Sequence, residues 1–70
     1  MLLGQLTQRV TIQGDIVLTL WKNGEVVNCD RIEGTEDLSI APNMGLWNWM
    51  EIKYIFAAAD GLHIDFEAEG

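Results

Sequence analysis

The sequence predicts an α+β fold: a short N-terminal helix with an antiparallel sheet of about four strands built from two hairpins. Three observations carry this. Leucines recur at helical spacing near the start, Asn23-Gly24 separates two strand-like runs, and the segment before the C-terminus alternates apolar and polar residues. A small all-β sandwich or barrel is the alternative arrangement of the same strands.

The helix is read from "LLGQLTQR", where Leu2, Leu3, Leu6 and Val10 share one face. Gly4 counts against it, since glycine inside a helix costs about 1 kcal/mol relative to alanine. From Val10 the period becomes two, and Gly14-Asp15 is either a bulge or the true strand start. Asn23-Gly24 then joins Asp15–Lys22 to Glu25–Asp30, because both central residues of a type I′ turn require positive φ. "RIEGTEDLSIAPNMG" reads as an irregular middle, with Thr35 able to cap one helical turn and Pro42 and Gly45 ending regular structure. A third strand is expected over Leu46–Ala57. The fourth, "LHIDFEA", follows the Asp60-Gly61 turn with Leu62, Ile64, Phe66 and Ala68 on its buried face. Glu69 and Gly70 are expected to fray.

The chain of 70 residues makes one small domain. Domains of this size bury only about 60% of the surface that the unfolded chain exposes. Cys29 is the only cysteine, and Cys29 with His63 is too small a set for a closed zinc site. Self-association, as a homodimer, is therefore the expected source of added stability. No cofactor is implied. Eleven acidic residues against Arg9, Lys22, Arg31 and Lys53 give a net charge of −7. That charge argues against direct binding to nucleic acid or anionic membranes and suits a basic protein partner. No apolar run reaches the roughly 20 residues that cross a bilayer. The N-terminus lacks the pattern of a signal peptide, and the single thiol fits a reducing cytoplasm.

Catalytic chemistry is hard to assemble from these residues. One serine (Ser39), one cysteine (Cys29) and one histidine (His63) are the candidates for nucleophile and base, and Asp30 beside Cys29 works against a low thiol pKa. The protein is expected not to be an enzyme. The densest acidic patch is Asp30, Glu33, Glu36 and Asp37 around Arg31, without the ligand order of a calcium loop. It is either a solvated loop or a contact surface for a basic partner.

The stretch "GLWNWMEIKYIF" raises the main question. If it is extended throughout, Leu46, Asn48, Met50, Ile52, Tyr54 and Phe56 form the core stripe. Trp47 and Trp49 then fall on the other face with Glu51 and Lys53. Three readings are open. The helix or the Glu33–Gly45 segment covers both tryptophans in a second small core, or they are exposed interface anchors with Trp21 and Tyr54 beside them, or the indoles wall a small-ligand pocket.

The leucine-bearing start, the "KNGEVV" hairpin, the acidic middle and the closing "DGLHIDF" strand resemble small acidic proteins of unknown function encoded by bacteriophages and mobile elements of Firmicutes. The Trp47-Trp49 pair departs from that pattern. The resemblance implies an accessory role with no catalytic residues, and by analogy a binder that inhibits a host defence component, as anti-CRISPR proteins do. The first expectation is a stoichiometric protein-binding module in the host cytoplasm, with Trp47, Trp49, Glu51, Asp30, Glu33, Glu36 and Asp37 as its contact residues. The alternatives are a small-ligand sponge and a structural subunit of a phage or conjugation apparatus.

Overall fold

A computed structural model describes residues 1–68; Glu69 and Gly70 lie outside the described residues. The chain runs α1 (Leu3–Thr7), β1 (Gly14–Lys22), β2 (Glu25–Thr35), 3₁₀ turns at Leu38–Ile40 and Trp47–Trp49, β3 (Ile52–Ala58) and β4 (Gly61–Glu67). This is the small α+β fold that the sequence predicts. The sheet order is β2-β1-β4-β3, so the two antiparallel hairpins meet through a parallel β1–β4 pair at the centre.

Local sequence explains the ladders. Asn23 and Gly24 both adopt positive φ (52° and 81°), as a type I′ turn demands. Gly14 starts β1, and a register shift follows it, so both readings of Gly14-Asp15 hold together. Strand β2 continues past the expected end at Asp30 to Thr35, which leaves a shorter irregular middle. The expected cap at Thr35 is taken instead by Asp37, whose Oδ1 accepts from the Ser39 N–H at 2.9 Å.

The registers set out both faces of the sheet as rows. On the covered face the rows are Ile32–Ile16–Leu62–Ala57, Asp30–Leu18–Ile64–Ile55 and Asn28–Leu20–Phe66–Ile52. Helix α1 and the two 3₁₀ turns lie over it, and Leu3, Leu38, Met44 and Trp47 pack on Ile16, Leu18, Ile64 and Phe66. Gly4 earns its place here: a Cβ at that position would lie 3.0 Å from the Asn48 carbonyl oxygen, so glycine lets α1 sit against the second 3₁₀ turn. On the open face the rows are Arg31–Val17–His63–Phe56, Cys29–Thr19–Asp65–Tyr54 and a third containing Val26, Trp21 and Glu67. Among the described residues no other element covers this side, yet Val17 and Thr19 are buried because the central strand is screened by side chains on both flanks.

Two expectations about the tryptophan stretch are corrected. Extended structure begins at Ile52, not Leu46, because residues 47–49 wind into a 3₁₀ turn. A register shift between Ile52 and Tyr54 then places two residues of β3 opposite Asp65. An extra residue reverses the face of everything after it. Tyr54 and Phe56 therefore leave the expected core stripe for the open face, where they are 62% and 46% exposed.

Candidate functional site

The strongest candidate is a recess between β2 and the Pro42–Trp47 segment. Leu18, Met44 and Trp47 line its apolar part, and Asp30, Arg31 and Glu33 stand at its rim. Each wall has a local cause. Asp30 is opposite Leu18 in the ladder, so its carboxylate points to the covered side of the sheet. There its Oδ2 accepts a 2.6 Å hydrogen bond from Trp47 Nε1. Trp47 is 2% exposed and its ring lies 5.2 Å from that of Phe66, tilted by 47°. The bond fixes the indole and holds the segment after Pro42 against β2.

The recess encloses about 280 Å³. Sites for small molecules usually enclose about 300–1,000 Å³. This one lies at the lower edge of that range. An aliphatic stem on the Leu18–Met44–Trp47 floor with a cationic head at Asp30 and Glu33 would satisfy both halves of its lining. Glu33 is loosely engaged by Arg31, whose Nε is 3.6 Å away.

The other expected contact residues are placed differently. The tryptophan pair is divided: Trp47 belongs to the main core, while Trp49 is 78% exposed. In a 3₁₀ turn successive residues are about 120° apart, so residues two apart point in different directions. Neither the joint second core nor the joint interface describes both. Glu51 accepts an ion pair from the N-terminal ammonium at 2.8 Å, beside the Leu2–Glu51 bridge that ties the N-terminus to the start of β3. Glu36 is exposed, and Asp37 accepts from both the N–H and the hydroxyl of Ser39. The structure thus brings Asp30, Glu33 and Trp47 together and leaves Trp49 and Glu51 elsewhere. Trp21 is half-buried on the open face, and its Nε1 has no partner among the described residues.

Leu18, Met44 and Pro42 complete the recess and escaped sequence reasoning. The available signal was β2 parity: Asp30 alternates with Cys29 and Arg31, which placed one carboxylate opposite its neighbours' side.

A second polar cluster closes the β3–β4 turn. His63 Nε2 is 2.7 Å from Asp60 Oδ1, and the imidazole stacks on Phe56 with centroids 4.9 Å apart. Arg31 reaches across β1 to donate to the Asp60 carbonyl at 3.0 Å. The hydrogen bond from His63, with smaller help from Arg31, holds the Asp60 carboxyl below its ordinary range. The possible nucleophiles stand apart from this histidine. Cys29 is two strands away from β4, about 10 Å at sheet spacing. Ser39 is bonded to Asp37. Among the described residues no cluster of three or more His, Cys, Asp or Glu could hold a metal ion, and no helix is long and apolar enough to cross a membrane. No family model, curated protein or solved structure matches this chain.

Proposed function

We propose that this chain is a non-enzymatic binding module that acts stoichiometrically on a basic protein, by inserting none of its own chemistry and occupying the partner's surface. The observation that carries the reading is the run of Glu25, Asp30, Glu33, Glu36 and Asp37 along β2 and the segment after it, with Asp30 and Glu33 at the rim of a small recess that has an apolar floor. Of these five, only Glu33 has an ion pair among the described residues. Carboxylates without cations of their own attract a basic partner over roughly a Debye length, about 8 Å at physiological salt. The exposed Trp49 supplies an aromatic anchor of the kind that carries binding energy at interfaces.

Extending the resemblance given above, the partner is a host protein and the consequence of binding is inhibition, in the manner of phage-encoded anti-defence proteins. The separation of Cys29 and Ser39 from His63 supports binding over catalysis.

The test begins with affinity capture from host lysate at physiological salt, followed by binding measurements with the purified captured protein. Glu33→Lys with Glu36→Lys should abolish capture and flatten the salt dependence, and Trp49→Ala should weaken capture at every salt concentration. Retention of full affinity by all three substitutions would sink the proposal, as would the absence of any retained partner.

A further inference from the structure

The two edges of the sheet are built differently, and one of them is open to pairing. Edge strand β2 carries Glu25, Asp30, Arg31 and Glu33 and two register shifts in its pairing with β1. Charge and bulges are the usual devices that stop edge-to-edge association. Edge strand β3 has neither along its second half. After its bulge it reads Tyr54-Ile55-Phe56-Ala57-Ala58, with no charge and no proline. Tyr54, Ile55 and Phe56 are 62%, 48% and 46% exposed. The N-terminus protects only the start of the strand, where the Ile52 N–H donates to the Met1 carbonyl at 2.9 Å. From Lys53 onward no strand among the described residues lies on its outer side, away from β4.

We infer that β3 pairs antiparallel with β3 of a second copy of this chain, joining two sheets into one of eight strands. Two features select a second copy as the occupant. The first is charge. Strand β3 contains no acid, and the carboxylates nearest its ends are already matched, Glu51 by the N-terminal ammonium and Asp60 by His63 and Arg31. Two chains of net charge −7 repel, and joining them here keeps the acidic β2 edges at opposite ends of the assembly. The second is self-complementarity. An antiparallel pair about a two-fold axis uses the same patch on both copies. An axis at Phe56 sets Ile55 opposite the partner's Ala57 and Tyr54 opposite the partner's Ala58. The two Phe56 rings then meet at the axis on the open face, a favoured cross-strand aromatic pair. Lys53 falls opposite the partner's Ala59 on both sides of the axis, and its charge is matched within its own chain by Glu67 at 3.1 Å. The dimer adds backbone pairing and apolar burial to a domain too small to bury much alone. It stands independently of any host partner, since it uses the edge opposite the acidic recess.

Light scattering across micromolar to sub-millimolar concentrations tests this. The expected mass is twice the 7.9 kDa of one chain. Ile55→Lys should return it to a single chain with the far-ultraviolet circular dichroism unchanged, and Val27→Lys on the opposite edge should leave the dimer intact. Hydrogen exchange on the unaltered protein supplies a readout that needs no substitution: protection of residues 53–58 should rise with concentration, while the protection that β2 owes to its pairing with β1 should not change with concentration. A single-chain mass throughout, a dimer that survives Ile55→Lys, or concentration-dependent protection on β2 would each overturn the inference.

Discussion

The two faces of one sheet meet opposite fates here, although the strands that make them are the same. The covered face presents Ile16, Leu18, Ile64 and Phe66, all fully buried beneath α1 and the 3₁₀ turns. The open face alternates Val17, Thr19 and Trp21 with Arg31, His63, Asp65 and Glu67, and has exposed aromatics at its β3 margin. Folding energy is thus concentrated on one side, and the other is free to vary with solvent, salt or a neighbouring molecule. The tryptophans repeat this contrast within one turn. Trp47 closes the covered core, and Trp49 has turned out of it.

The contrast can be broken by substitution. Trp47→Ala should have the largest effect, with a loss of about 3–5 kcal/mol in denaturant unfolding, as for large aromatic truncations in cores. Asp30→Ala comes next. It leaves the Trp47 N–H without an acceptor at a cost of about 1–3 kcal/mol. Quenching and a shifted emission of Trp47 should accompany it. If Asp30→Ala proved neutral, the carboxylate would be a surface group and the recess would lose its anchor. Tyr54→Ala on the open face should cost less than about 1 kcal/mol under dilute conditions, where packing contributes little at an exposed position. Trp49→Ala should stay within about 0.5 kcal/mol of the parent. An open-face or Trp49 loss as large as that of Trp47→Ala would overturn the one-sided account of stability.

The smallest effect is electrostatic. The folded-state pKa of Asp60 is depressed, first by the hydrogen bond from His63. A depressed carboxyl contributes stability that is present above its unfolded pKa, about 3.9, and is lost as pH falls through the folded value. Comparing the parent with Asp60→Asn should show a difference that is constant near neutrality and vanishes in acid below about pH 4. The site is exposed, so added salt should shrink the difference. A difference that grew toward acid would reverse the assigned sign.

Much of this fold is legible in particular residues. Asn23-Gly24 dictated its hairpin because few dipeptides tolerate two positive φ values. The alternation of Leu62, Ile64 and Phe66 marked the buried side of β4 before any packing was known. The tryptophan stretch was not legible in the same way. Parity counts residues, so a single misplaced start or one bulge inverts every face that follows. The β-branched residues that favour extended backbone begin only at Ile52, and residues 46–50 contain none. That was the available warning that Leu46–Met50 would not be strand. The acidic patch was visible as composition, yet the recess was not, because Leu18 and Met44 reach Asp30 only through long-range packing.

The sequence by itself determined the two hairpin turns, the alternation within β1 and β4 and the surplus of carboxylates. These depend on backbone preference and on charge, which are properties of residues and their immediate neighbours. The tertiary structure decided that the hairpins join through a parallel β1–β4 pair, that Trp47 enters the core while Trp49 leaves it, and that β3 rather than β2 is the unguarded edge. Each of those depends on which distant segments compete for the same apolar surface. Only one side of the sheet found cover, since α1 and the two 3₁₀ turns are too short to wrap both.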